Sequence, residues 1–544
     1  MEDWLFYSLT TLLCLACSLL LRARASPAAA ASSSSPPLPP GPRPVPVLAP
    51  LLFLARRDFD IEPTLRRIAS EHGPVFTFAP LGRARPTIFV SARGPAHRAL
   101  VQRGAAFASR PRGGGGPASA LLTSGGRNVS SAPYGPTWRA LRRCISSGVL
   151  NPARLRSFSA ARRWVLDVLI SQIRRDSGAG EEGNSSPVMV MEAFQYAMFC
   201  LLVYMCFGDG AGEEKVREIE ALQRELLGNF LSFQVFAFLP PLTKLVFRRR
   251  WRKLVSLRRR QEELFVPLIH ARREISAAAD AVADECYVDS LVKLRIPADE
   301  EENAAGRELT DGEIVSLCSE FMSAGTDTTA TALQWILANL VKNPSFQRNL
   351  RDEIAGVVSD SGEIKEEDLN SMPYLKAVVL EGLRRHPPGH YVLPHAVEED
   401  TTLDGYRVPA NTPVNFAVGE MGMDGEVWES PEEFRPERFL AGGEGDGVDL
   451  TGGKEIKMMP FGAGRRVCPG MALALLHLEY FVANLVREFE WREVAGDEVD
   501  LAEKLEFTVV MKKPLKAIAV PLRGVTSAAD VTGSGCGRLS SLNV

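Results

Sequence analysis

Thr310-Asp311-Gly312-Glu313 opens a stretch that admits few folds. A threonine at the cap with a glutamate three residues on is a capping box, in which each side chain satisfies the other residue's backbone amide. An apolar run follows to Asn343-Pro344, where proline stops the helix. That is about thirty residues, or roughly 48 Å at the standard helical rise. A helix so long and so apolar must be buried across the centre of its domain. At its middle sits Ala324-Gly325-Thr326-Asp327-Thr328-Thr329, which puts a glycine, a carboxylate and hydroxyls where burial penalises them. Gly325 lets backbone or a ligand come close. Thr328 is placed to bond back to the carbonyl of Ala324, bending the helix and opening a groove.

A second segment, Pro460-Phe461-Gly462-Ala463-Gly464-Arg465-Arg466-Val467-Cys468-Pro469-Gly470, holds one cysteine in a basic, glycine-framed loop. A cysteine there can serve as a thiolate ligand to haem iron, the axial ligand that favours O–O cleavage. Gly464 and Gly470 permit angles and approaches that a side chain would block. The amides they free can point at the sulfur. Arg466 supplies a fixed cation suited to a haem propionate, and Phe461 can cover the ring and the sulfur. A nucleotide-binding reading of Gly462-Ala463-Gly464 fails, because Val467 stands where a third glycine is needed.

Composition narrows the rest. A chain of 544 residues allows several ordinary domains or one large one. Its 45% hydrophobic and 24% charged residues are those of a globular protein. The net charge of −3 argues for no nucleic-acid role. Nine scattered cysteines, an odd count, fit a reducing compartment better than a disulfide framework. Trp4 to Leu21 is uncharged and mainly apolar, and spans roughly 27 Å, enough for a bilayer core. Glu2 and Asp3 precede it and Arg22 and Arg24 follow, so residues 1–25 read as a single-pass anchor with the rest of the chain cytosolic. The rival reading is a signal peptide cleaved near Ala23-Arg24-Ala25, but its n-region would be acidic. Residues 26–52 read as an Ala/Ser-rich and then proline-rich linker, with Pro36 to Pro44 a stiff polyproline segment. Residues 53–523 read as one domain, mainly α with small β-sheets. Strand-like runs sit at Val75–Phe78, Thr87–Val90 and Thr508–Met511, and helical patterns fill the middle. Residues 524–544 read as a disordered tail.

The pattern Phe461-x-x-Gly464-x-Arg466-x-Cys468-x-Gly470 resembles the signature of the cytochrome P450 family of haem-thiolate monooxygenases, most closely its plant microsomal members. The resemblance covers roughly residues 36–522 and implies a haem b held by Cys468 under the long central helix. It implies that Asp327 and Thr328 are the acid-alcohol pair that relays protons to bound dioxygen. It implies a structural triad of Glu381, Arg384 and Arg438 that locks the segment delivering the cysteine loop. Trp138 and Arg142, at i and i+4, match the family's propionate-binding pair. His395 stands where relatives often carry an arginine; a propionate contact and a plain core histidine are both open.

The same resemblance implies insertion of one oxygen atom from dioxygen into a lipophilic small molecule. No flavin domain or dinucleotide fingerprint is visible, so electrons from NADPH must arrive through a partner, the NADPH–cytochrome P450 reductase, with cytochrome b5 as a possible second donor. Arg139, Arg142, Arg143 and Arg465 would form a basic docking face for it. The location implied is the endoplasmic reticulum membrane. The pocket is expected from Ala106–Ser131, Leu226–Leu242, Ser319–Ala324, Tyr391–Leu393 and Phe507–Met511, with Phe230, Phe233, Phe236 and Phe238 in one of them. Two alternatives stay open: a haem-thiolate isomerase or dehydratase that needs no reductase, and a non-catalytic haem-binding sensor.

Overall fold

The capping box forms. The Thr310 hydroxyl accepts the Glu313 amide at 3.3 Å, and the Glu313 carboxylate accepts the Thr310 amide at 2.8 Å. The helix it starts runs Asp311–Lys342. Pro344 then opens the next helix, Pro344–Val357, at a position where proline's missing N–H costs nothing. In this computed structural model, which describes residues 36–42, 61–79, 86–113, 115–178, 186–237, 240–278, 285–297, 306–359 and 362–522, the Asp311–Lys342 helix is the axis of the molecule. It packs most extensively on Val190–Phe207, then on Met471–Glu488, Arg248–Ala278 and Pro373–Arg385. Trp335, Ile336, Leu317 and Leu340 are among its fully buried side chains. Each such burial contributes about 1.5–3 kcal/mol.

Val190–Phe207 is the most apolar of these neighbours and is buried on nearly every face. It is long and apolar enough to cross a membrane, but it serves as a core helix against the central one. The expected anchor at Trp4–Leu21, most of the linker and the tail at 524–544 lie outside the described residues.

The strands are short and peripheral, as expected. Val75–Phe78 pairs antiparallel with Thr87–Val90, which pairs parallel with Val414–Phe416 in the register Ile88↔Val414 and Val90↔Phe416. Lys516–Pro521 lies between Pro187–Met189 and Phe489–Arg492. Val509–Met511 forms a hairpin with Glu503–Leu505. The proline-rich segment is docked where it is described: the Thr77 amide donates to the Pro40 carbonyl at 2.7 Å and the Arg407 amide to the Pro37 carbonyl at 2.8 Å. The packed body therefore begins before the expected boundary at residue 53.

Candidate active site

Gly464 shows why the cysteine loop needs its glycines. It sits at φ +69°, and a Cβ there would lie 1.9 Å from the Leu100 carbonyl oxygen. The loop is pressed against the helical turn Arg98–Gln102 with no room for a side chain. Within the loop the Cys468 amide donates to the Phe461 carbonyl at 2.8 Å, which closes the turn. The chain then enters the Met471–Glu488 helix, which packs on the central helix. Of the six cysteines described, Cys144, Cys200, Cys206, Cys286 and Cys318 are buried, and Cys468 alone is not. Burial pushes the Cys468 thiol up, while the Gly470 amide and Arg142 pull it the other way. A metal would complete that deprotonation.

Three arginines surround the loop. Arg466 stacks on the Trp138 ring at 4.3 Å and donates to the carbonyls of Ala108 at 2.7 Å, Val129 at 3.1 Å and Ala132 at 2.6 Å. Trp138 Nε1 donates to the same Val129 carbonyl at 3.1 Å. Arg110, which sequence reasoning missed, donates to the carbonyls of Ser130, Leu393 and Pro394. Arg142, on the Pro136–Ser147 helix, is half-buried and makes no ion pair among the described residues. Burial, then repulsion from Arg110 and Arg142, holds Arg466 down to about 9; burial holds Arg110 down to about 10 and lowers Arg142 as well. Uncompensated buried cations are costly. A dianionic group with a soft-ligand metal at its centre fits this donor set, and haem is such a group. The carboxylate that offsets Arg110 and Arg466 within the protein is Glu320.

His395 lies in the same wall. Its Nδ1 is 2.6 Å from the Phe107 carbonyl, so that nitrogen carries the proton and donates. Burial holds the ring down to about 3. The neutral ring presents Nε2 as an acceptor, and meets an anion only if that anion raises its proton affinity.

On the central helix, Ala324 is exposed between half-buried Ser323 and Gly325, with Met322 and Thr326 buried beyond them. The helix is open on that face. Thr328 makes the expected back-bond, its hydroxyl donating to the Ala324 carbonyl at 2.6 Å, and the helix continues unbroken through it. Asp327 faces another way. Gln195 Nε2 donates to its carboxylate at 2.8 Å, Arg224 donates to Gln195 Oε1 at 2.6 Å, and Arg224 pairs with Glu220 at 2.8 Å. Burial pushes the Asp327 carboxyl up against the pull of Gln195 and Arg224. The acid and the alcohol are thus neighbours in sequence with separate partners. A small cavity beside Asp327 is lined by Gln195, Gln223, Arg224, Ser323 and Thr326, and the Thr326 hydroxyl is buried without a partner.

The triad assembles as expected. Arg384 donates to both Glu381 oxygens, at 2.6 and 2.8 Å, and Arg438 lies 3.4 Å from the same carboxylate. All three side chains are fully buried. Arg384 also holds the carbonyls of Gly422 and Pro431, and the Arg435 amide donates to Glu381 at 2.7 Å. Glu444 completes the cluster through Arg438 and Arg435. It sits in a glycine-rich loop that gave no sequence signal.

The phenylalanines divide. Phe233 and Phe236 are core, packed with Leu222, Leu254 and Leu257. Phe230 is partly exposed and meets Phe507 edge to face at 5.9 Å, which joins two of the expected pocket segments. Phe238 lies outside the described residues. Of the expected basic face, Arg139, Arg143 and Arg465 are exposed, with Arg139 and Arg465 both against the Tyr134 ring. Arg142 is turned inward toward the cysteine instead.

The chain matches the profile of the family described as Cytochrome P450 over residues 39–519. It is 46% identical over 489 residues to Cytochrome P450 89A9 of Arabidopsis thaliana, covering 89% of this chain and 93% of that one. It is 32% identical to tryptamine 5-hydroxylase of Oryza sativa subsp. japonica, covering 80% and 83%. It is 30% identical to 5-epiaristolochene 1,3-dihydroxylase of Nicotiana tabacum, covering 88% and 92%. In fold it resembles a zebra fish cytochrome P450 solved with progesterone, with TM-score 0.68 at 22% identity, covering 86% of this chain and all of that one.

Proposed function

The chain belongs to the cytochrome P450 family and is a monooxygenase of that family, and from this premise we propose that it hydroxylates a lipophilic small molecule with electrons from NADPH delivered by a partner reductase. The observation that carries the site assignment is Cys468, the one cysteine among the described residues that is half-buried rather than buried, beside three cations that the protein leaves short of negative charge. Haem, when bound, supplies dioxygen binding and the oxidation itself, and its thiolate ligand favours O–O cleavage. Cys468 would provide that ligand, and Phe461 would shield it. Arg142, Trp138, Arg466 and Arg110 would hold the propionates, and a propionate beside His395 Nε2 would draw a proton onto that ring. The open face at Ala324 would leave space for the substrate. Thr328 holds a proton at its hydroxyl at the edge of that space. Asp327, its carboxyl raised by burial, accepts and returns a proton, with Gln195, Arg224 and Glu220 leading outward from it. Phe230, Phe507 and Leu393, all partly exposed, offer apolar surface to the substrate.

The exposed trio Arg139, Arg143 and Arg465 suits an acidic reductase, or cytochrome b5 at the same face. The Trp4–Leu21 segment would tether the domain to the endoplasmic reticulum membrane. The acid-alcohol pair disfavours a reductase-independent isomerase and has no use in a sensor. Incubation with reductase, NADPH and isotopically labelled dioxygen tests the proposal. One labelled atom per product, with no product when the reductase is left out, is expected; turnover of a hydroperoxide without reductase contradicts it.

A further inference from the structure

Val129 and Ser130 form a junction. On one side, the Val129 carbonyl accepts from Trp138 Nε1 at 3.1 Å and from Arg466 Nη1 at 3.1 Å, and the Ser130 carbonyl accepts from Arg110 Nε at 2.7 Å. On the other side, both amides run to one carboxylate. Val129 N donates to Glu320 Oε2 at 2.9 Å, and Ser130 N donates to Glu320 Oε1 at 2.7 Å. Glu320 lies on the central helix one turn before Ala324.

The loop from Ser124 to Ser130 meets that helix at earlier points too. Ser124 Oγ donates to the Gly312 carbonyl at 2.9 Å and lies 2.8 Å from Ser316 Oγ, and Arg127 donates to Glu313 at 3.3 Å. Residues 313, 316 and 320 share one helical face. At the earlier points the loop is held by its side chains; at Glu320 its backbone is held. Two consecutive amides on one anion make charge-assisted bonds, stronger than neutral ones. The Ser130 amide and the Val129 carbonyl belong to one planar peptide unit, so holding the amide fixes the direction of that carbonyl.

We propose that Glu320 is a positioning residue for the haem-binding cations: by pinning the Ser130 amide it sets the Val129 carbonyl, in the same peptide unit, that holds Trp138 and Arg466. Its charge also offsets Arg110 and Arg466, while burial pushes its own carboxyl up against the pull of Ser130, Val129 and Arg110. The central helix and the propionate clamp are thereby joined through one side chain. This rests on the haem-thiolate assignment above, because that assignment gives these donors their ligand.

The test uses full-length, haem-loaded protein with Glu320→Gln and Glu320→Asp. Glutamine keeps one acceptor oxygen but turns an NH2 group toward a backbone amide and removes the charge. Aspartate keeps the charge but is one methylene too short to reach the amides. In Glu320→Gln, amide hydrogen exchange in the peptide containing Val129 and Ser130 should rise about tenfold, the factor that one lost charge-assisted hydrogen bond carries. Ferric haem should pass to excess apomyoglobin faster, and the reduction midpoint should move positive, because a more positive surrounding favours the added electron. In Glu320→Asp, exchange should rise with the midpoint little changed, which separates tether from charge and keeps the test open should the glutamine variant fold poorly. Unchanged exchange and unchanged haem loss in a folded Glu320→Gln protein would overturn the proposal. Exchange reads the tether without reference to haem; a parent protein lacking a thiolate-type carbon monoxide band would instead refute the assignment beneath it.

Discussion

Thr328 spends its hydroxyl proton on the Ala324 carbonyl, a carbonyl that already serves the helix, so turning it toward a molecule in the groove forfeits little. Replacing it with alanine removes a hydroxyl bonded to the exposed Ala324 without disturbing a buried network. Thr328→Ala should lower product formation by about 10²-fold, the scale of a lost proton-transfer group. NADPH consumption through the reductase should fall far less, with the missing electrons recovered as hydrogen peroxide. Equal loss of both rates would place Thr328 outside the proton path. At this scale the chain was partly legible. Cys468 stood out because glycines, a cation and a sulfur fall within a few residues. Arg110 did not, because its carbonyl partners Leu393 and Pro394 lie more than 280 positions away. Gln195, the partner of Asp327, is 132 positions from it and sits on a helix that reads as uniformly apolar.

Local chemistry governs the elements, and they were legible wherever one segment carried its own signal. The capping box and the prolines marked the helix ends. Glu381 and Arg384, three residues apart, had to share a face. Arg438 joins them only because the chain after Gly422 folds back over the Pro373–Arg385 helix, with the carbonyls of Pro431 and Glu433 hung on Arg384. Breaking this cluster leaves buried arginines facing one another. Glu381→Gln should therefore cost about 3–5 kcal/mol in urea unfolding and lower haem retention. A loss below about 1 kcal/mol, the value of an exposed pair, would mean the cluster adds little to the fold. Glu444 escaped sequence reasoning because loop carboxylates ordinarily face water, and nothing nearby distinguishes this one.

The whole molecule carries a pH dependence in its buried histidines. Burial holds His386 down to about 4 and His395 and His477 to about 3. Unfolded, each titrates near 6.5. Below that value the unfolded chain binds protons that the folded chain refuses, so stability falls with pH by about 1.4 kcal/mol per unit for each ring until its folded value is reached. His390 acts in the opposite sense. Burial opposes its charge, but Glu62 at 2.6 Å and Glu503 at 3.3 Å outweigh it and raise its pKa. That contribution is complete at low pH and is lost as pH rises through the folded value. In the haem-free protein, three rings against one predict a falling unfolding midpoint between pH 6.5 and pH 4.5, with a shallower fall in His477→Gln; a flat profile would contradict it.

The central claim, that Cys468 is the haem ligand, is tested most directly by the optical spectrum of the reduced protein with carbon monoxide, recorded beside Cys468→His. The account predicts a strongly red-shifted Soret band in the parent protein and its replacement by an imidazole-type band in the variant. An imidazole-type band in both, from folded and haem-loaded protein, would contradict it.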